Sequence, residues 1–252
     1  MKLSELNDVI YEVAPASLAA DYDNTGIMLG DPDAEVKGVL TTLDATVDAV
    51  KECEKLGYNV LLTHHPLFFK DVKSITPCNR TGKVAIEAIK NGIAVLSHHT
   101  NFDNSPVGLN ALFAEIVGGK NVNLTNDGAL FETSATLKEL SKTIAEKFET
   151  TVRVVGDLNK KIEKAFVITG AGGRDSDALR FASENADVFI SGEMKHNFAY
   201  DCGELALIEI SHYASEKICN TAFKRILDKA KVLNAAFDVA PYVEVYESDN
   251  EA

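Results

Sequence analysis

Short apolar runs that end in histidine recur along this 252-residue chain, and they constrain its fold more than any other feature. Leu61-Leu62-Thr63 leads into His64-His65-Pro66, and Val95-Leu96-Ser97 into His98-His99. Ile208-Glu209-Ile210-Ser211 leads into His212, with Glu216 four residues on, so these clusters hold five of the six histidines. Apolar runs this short suit strands covered on both faces. Imidazoles and carboxylates at the carboxyl ends of strands predict a site at the edge of a sheet, suited to a metal that accepts mixed nitrogen and oxygen ligands.

Between the runs the hydrophobic period changes. Thr46 to Leu56 reads as a helix closed by Gly57, and Lys83 to Lys90 as one closed by Asn91-Gly92. An amphipathic helix is expected after Ser4, with Leu6, Val9, Ile10 and Val13 on one face. Strands alternating with helices predict parallel pairing and an α/β fold. The second half repeats the first. Ala165 to Thr169 parallels Val39 to Thr42, Asp187 to Glu193 parallels Asn59 to His65, and Leu207 to His212 parallels Ala94 to His98. The first half is longer between its second and third strands, which places the extra chain in the Pro66–Cys78 loop. The expected architecture is two similar βαβ-containing lobes, residues 1–125 and 126–252, forming one unit with the metal site between them. Phe131 to Phe148 reads as a strand and a helix, Asn121 to Gly128 as a linker, and Glu244 to Glu251 as a last strand running into a solvated tail.

Composition narrows the function. The hydrophobic fraction of 46% supports a sizeable core, yet no apolar run approaches the ~20 residues of a membrane-spanning helix. The net charge of −13 disfavours general nucleic-acid binding, although bound cations can reverse the sign locally for a small anionic substrate. Cys53, Cys78, Cys202 and Cys219 form no CxxC pair, and the N-terminus lacks the apolar stretch of a signal peptide. Reduced thiols in a cytoplasmic protein are expected.

Adjacent side chains on a strand point to opposite faces, so His64 and His65 converge only if the strand ends there, an ending that Pro66 favours. Ser211 is a natural helix cap, which would set His212 and Glu216 one turn apart on one face, where Glu216 could bridge two ions. Asp103 follows His99 by four residues in a polar loop and is a further candidate ligand. Of His98 and His99, one is expected to face the site and the other to support it. Glu193 and His196 occupy the position equivalent to the first histidine cluster and are candidates for the pocket wall or for acid–base work. Gly170-Ala171-Gly172-Gly173 reads as a tight strand-to-helix turn, and Asp23-Asn24-Thr25-Gly26 as a turn.

At these residues the chain resembles the GTP cyclohydrolase I type 2 homologue family, also called NIF-three-like. The matching elements are Tyr22 to Gly26, Thr63 to Pro66, His99 to Asp103, Ser191 to His196 and Ser211 to Glu216, in the family's order and over almost the full length. The resemblance implies a two-lobed α/β fold, a toroidal homohexamer and a dinuclear metal site. His65, Asp103 and Glu216 would hold one ion and His64, His212 and Glu216 the other. The expected function is a metal-dependent hydrolase with two divalent ions per chain, zinc, iron or manganese. It would act on a nucleotide or related small molecule through a metal-activated water. His99, Glu193 and His196 would transfer protons or orient the reacting groups. A phosphoester hydrolase, or a metal-binding or regulatory protein without catalysis, are the alternatives.

Overall fold

The computed structural model describes residues 1–125 and 128–241, so the expected strand and tail at Glu244 to Glu251 lie outside the described residues. The first half runs α1 (Leu3–Tyr11), β1 (Gly26–Leu29), β2 (Val39–Thr42), α2 (Val47–Lys55), β3 (Val60–Thr63), α3 (Arg80–Lys90), β4 (Ala94–Ser97), α4 (Thr100–Asp103), α5 (Leu109–Ile116) and β5 (Lys120–Leu124). The second runs β6 (Ala129–Thr136), α6 (Leu137–Phe148), β7 (Arg153–Val155), β8 (Lys161–Ile168), α7 (Ser176–Asn185), β9 (Val188–Ser191), α8 (Phe198–Asp201), β10 (Ala206–Glu209), α9 (His212–Glu216), α10 (Cys219–Lys229) and β11 (Asn234–Ala236).

Local chemistry sets the boundaries. Thr46 caps α2 by accepting the Ala49 N–H, and Gly57 takes the left-handed turn that ends it at φ +72. Thr136 and Glu139 form a capping box on α6. Helix α3 begins a turn earlier than its pattern predicts, because Asn79 caps it through the Gly82 N–H. Gly82 is no breaker there: a Cβ would lie 1.9 Å from the Thr76 carbonyl oxygen, so the close approach of the preceding loop requires glycine.

The strands form two sheets, ordered β1-β4-β3-β2-β11 and β5-β6-β8-β9-β10-β7. The series α1-β1-β2-α2-β3-α3-β4-α4-α5 recurs as α6-β7-β8-α7-β9-α8-β10-α9-α10. Three parallel strands lie at the centre of each copy, and β1 runs antiparallel beside β4 as β7 does beside β10. Register aligns Thr42, Thr63 and Ser97 in one sheet and Ile168, Ser191 and Glu209 in the other. By this register Thr63 matches Ser191, as expected. Ser97 matches Glu209, so His99 corresponds to Ser211, and the expected match of His98 with His212 shifts. The segment expected as a linker contributes β5 instead, an edge strand of the second sheet paired antiparallel with β6. In return β11 pairs parallel with β2 in the first sheet.

Alternate residues of each central strand divide between two environments. Val60, Leu62 and Leu96 of the first sheet and Val167, Ile190 and Ile208 of the second face one shared core, with α1, α5, α6 and α10 packed into it. The Phe102–Phe223 and Phe113–Phe148 stacks, at 4.4 and 4.5 Å, join helices of the two halves there. Leu61 and Val95 face α2 and α3 on one outer side, and Phe166 and Phe189 face α7 on the other. Among the described residues no helix is long and apolar enough to cross a membrane.

Candidate metal centre

Strand β3 stops at Thr63, whose hydroxyl donates to the His65 carbonyl at 2.8 Å and contacts the Ser97 hydroxyl at 2.7 Å. The chain turns at that point, and both imidazoles reach the same cluster of donors, His65 at the wall of the cleft and His64 buried behind it. Their centroids are 5.2 Å apart, with His64 fully buried and His65 partly exposed. Beyond β4, His99 precedes α4, which carries Asp103. Ser211 caps α9 by accepting the Ala214 N–H, and itself sits at φ +151, a conformation that costs a non-glycine residue energy and is held by the surrounding fold. The cap points His212 and Glu216 from one face of α9 into the cleft.

Each imidazole in the cluster is anchored through Nδ1. His65 donates to Asp44 at 3.2 Å, His212 to Glu193 at 2.7 Å, His99 to Asp23 at 2.8 Å and His64 to the His98 carbonyl at 3.1 Å. This fixes tautomer and ring plane and leaves Nε2 as the free ligating atom. Glu216 Oε2 lies 2.9 Å from His65 Nε2 and 2.8 Å from His212 Nε2, while Oε1 lies 3.8 Å from His64 Nε2. Asp103 Oδ1 lies 3.6 Å from His64 Nε2. The distances therefore group His65 with His212 and His64 with Asp103, each pair facing one oxygen of Glu216. The resemblance divides them the other way, pairing His65 with Asp103. Two sets of donors gather within 4.8 Å, His64 with His65 and His99, and His65 with His212 and Glu216, and either set could hold a metal ion.

The His64 contacts test the fit of a cation directly. Its Nδ1–H is spent on the His98 carbonyl, so in the uncharged form that binds metal the ring presents a bare lone pair at Nε2. That lone pair faces two carboxylates beyond hydrogen-bond distance, and His64 Nε2 and Asp103 Oδ1 are both buried without a hydrogen-bond partner. Acceptors facing acceptors out of water are costly, and a cation between them removes the cost. The donor set fits a divalent metal.

The carboxylates respond to the same crowding. Burial raises the Asp103 carboxyl above its ordinary range, and the Glu216 charge adds to this against the pull of His64. Burial also opposes the charge on Glu216, but the contacts from His212 and His65, with His64 standing nearby, hold it well below the usual value. For His65, burial disfavours the proton, yet Asp44 and Glu216 together push it up to about 10. His98 behaves oppositely. It is buried and accepts a hydrogen bond from Asn101 Nδ2 at 3.0 Å, and burial with the nearby His64 pulls it down to about 3. His99, not His98, faces the cleft.

The cleft encloses about 820 Å³, and His65, His99, Asp103, His212 and Glu216 line it. Glu193 stands behind His212 and pairs with Arg174 at 2.5 Å. His196 does not join the cluster. After Glu193 the chain stays paired with Gly173 through Met194 and the Lys195 N–H, which carries His196 to the surface, edge-on to Tyr200 at 5.4 Å. Three further residues contribute without belonging to the histidine clusters. Asp23, read as a turn, binds His99 and also accepts the Thr100 N–H at 2.9 Å. Asp44 links His65 to Arg80. Its signal was position, because Asp44, His65 and His99 each lie two residues past the aligned ends of β2, β3 and β4. Gly170 is the third: a Cβ there would lie 1.9 Å from Glu216 Oε1, so this glycine leaves room for the carboxylate. The Gly170–Gly173 turn thus serves close packing, with the Gly170 N–H donating to Ser215 at 2.9 Å.

A family model described as Duf34/NIF3 (NGG1p interacting factor 3) matches residues 1–248. The chain is 33% identical over 231 residues to a GTP cyclohydrolase 1 type 2 homolog of Clostridium acetobutylicum, a match covering 86% of this chain and 85% of the relative. A protein of the same name from Campylobacter jejuni is 31% identical over 221 residues, covering 86% and 88%. Among solved structures, Staphylococcus aureus protein SA1388 superposes with a TM-score of 0.88 at 28% identity, over 97% of this chain and 99% of that one. Reduced HcgD from Methanocaldococcus jannaschii gives 0.83 at 27% identity, over 94% and 97%. Matched over nearly its full length in both sequence and fold, the chain belongs to the Duf34/NIF3 family.

Proposed function

We propose that the cluster holds two divalent metal ions and that the protein is a metal-dependent hydrolase of a nucleotide or related small molecule. The observation that carries this reading is the buried His64 Nε2 and Asp103 Oδ1, unpartnered and facing Glu216 at the floor of an open cleft. His65, His212 and Glu216 Oε2 would hold one ion, and His64, Asp103 and Glu216 Oε1 the other. Zinc, iron and manganese all tolerate these donors. When bound, such a pair supplies Lewis acidity and lowers the pKa of a water.

The chain's own groups do the rest. Asp44 and Glu193 keep the Nδ1 protons on His65 and His212, so both rings present Nε2 lone pairs without rotating. Asp23 does the same for His99, whose Nε2 is placed to accept a proton from a group entering the cleft. Phe69 meets His99 in a T-shaped contact, with the ring centroids 6.0 Å apart. The cyclohydrolase name of the relatives favours attack on a guanine ring. Arg80 and Arg174 in the cleft wall favour a second reading, attack on a phosphate ester. The products separate these: formate with an opened ring, or free phosphate.

The test is elemental analysis of gently purified protein, followed by assay on a nucleotide panel. Occupancy near two per chain with turnover supports the reading, and metal-free protein that cannot be reloaded overturns it. We also propose the closed ring of six chains implied by the resemblance. Light scattering should give the mass of six chains, and a monomer at micromolar concentration would contradict it.

A further inference from the structure

One wall of the cleft has no part in the metal cluster. Tyr22, from the loop before β1, and Phe69, from the 66–79 loop, both line it. Their rings lie 6.1 Å apart at 49° and are 69% and 41% exposed, so neither residue is placed there by core packing. Asn24 Nδ2 donates to the Phe68 carbonyl at 2.6 Å, which ties the two loops together and holds the rings as a pair. The 66–79 loop is also the extra chain of the first half, since the second half passes from β9 to α8 in a short segment. Phe69 meets His99 edge-on at 6.0 Å, and His99 meets His64 at 5.0 Å, so a group lying on this wall is next to the cluster. Two guanidiniums, Arg80 and Arg174, line the same cleft in a chain of strongly negative charge, each about two-thirds exposed and each engaged with a carboxylate through one terminal nitrogen.

We infer that Tyr22 and Phe69 form the binding wall for a planar heteroaromatic ring whose anionic substituent is met by Arg80 and Arg174. Exposed aromatic faces bind flat rings by stacking and exclude water from one side of them, while a guanidinium with unspent donors pairs with a phosphate. The inference rests on the proposal that the cleft receives a substrate, and it assigns the part of that substrate which touches protein away from the metal donors.

Equilibrium calorimetry on the full chain, with GMP, CMP, guanosine and ribose 5-phosphate as probes, tests it without turnover. GMP and CMP should bind, guanosine and ribose 5-phosphate more weakly. Tyr22→Ala with Phe69→Ala should weaken both nucleotides about tenfold and leave ribose 5-phosphate unchanged. Phe69→Trp should retain binding, and metal content should be unaltered throughout. Ribose 5-phosphate binding as tightly as GMP, nucleotide affinity unmoved by the double substitution, or no binding of either nucleotide would each overturn the inference. Failure of the hydrolase reading looks different: ring-dependent binding persists and no product forms.

Discussion

The two halves repeat one chain order but solve different problems at their strand ends. Two residues past the aligned ends of β2, β3 and β4 stand Asp44, His65 and His99. The matching positions past β8, β9 and β10 are Gly170, Glu193 and Ser211. The first row puts side chains into the cleft. The second supports: Gly170 vacates space for Glu216, Glu193 holds His212, and Ser211 caps the helix that carries both. A duplicated frame thus yields one site, because one copy supplies candidate donors from a strand end and the short helix after another strand, and the other only from a helix braced by its strand ends. Repeating the frame does not require repeating the chemistry.

The largest test of this division is Glu216→Gln against Glu193→Gln. An amide cannot bridge two cations as a carboxylate does, so Glu216→Gln should empty both positions, read as metal per chain, and abolish any hydrolysis. Full occupancy in that variant would break the comparison. Next is Gly170→Ala, which adds a Cβ against Glu216 at φ +61. It should cost roughly 1–3 kcal/mol of stability and loosen the metal, seen as a lower melting temperature and faster chelation. An unchanged melting curve would remove Gly170 from the supporting row. Glu193→Gln and Asp44→Asn then sharpen the comparison, since each removes an orienting carboxylate from one half. Each should weaken metal affinity by about 10–100-fold while occupancy stays full in excess metal. If only one does, the halves are not equally braced.

Two smaller effects follow from protons. Without metal, His65 keeps its proton up to about pH 10, so loading at neutral pH must displace it. Metal addition in weak buffer should release acid, and affinity should rise with pH; loading without proton release would contradict this. The same raised value means that the stability His65 contributes to the metal-free chain is fully present below its ordinary value of 6.5 and is lost as pH rises through about 10. Asp23 has the opposite sign. Burial opposes its charge, but His99 and Thr100 hold it at about 2. Its contribution is present above the ordinary 3.8 and is lost as pH falls through about 2. Asp23→Asn should flatten that acid limb of the stability curve.

Much of this was legible in the chain. The strands at Val60–Thr63 and Ala94–Ser97 were evident because a strand buried on both faces leaves an unbroken apolar run bounded by polar residues. Histidine at those ends is expensive in a core without a partner, which marks them as a site. What escaped was held by distant partners. Lys120 to Leu124 is largely exposed and polar, and becomes a strand only by pairing with β6. Asp23 sits in a sequence typical of a turn and gains its role from His99, 76 residues away. His196 lies away from the cluster because the equivalence of the two halves stops after Glu193, where Met194 bridges to Gly173 and redirects the backbone.

The exchange of edge strands also bears on how the chain can be made. The first sheet is completed on its β2 side by β11, residues 234–236, almost two hundred positions after β2. During synthesis the donors and acceptors along that side of β2 stay unpaired until α10 and β11 have emerged. Such a long-range parallel closure is slow, and an open strand edge in the meantime is an invitation to pair with a neighbour. A truncation before residue 234 therefore removes more than three exposed or half-buried residues. It leaves the strand that presents Asp44 with a permanently open edge, so such a fragment should fail by aggregation before it fails by losing metal.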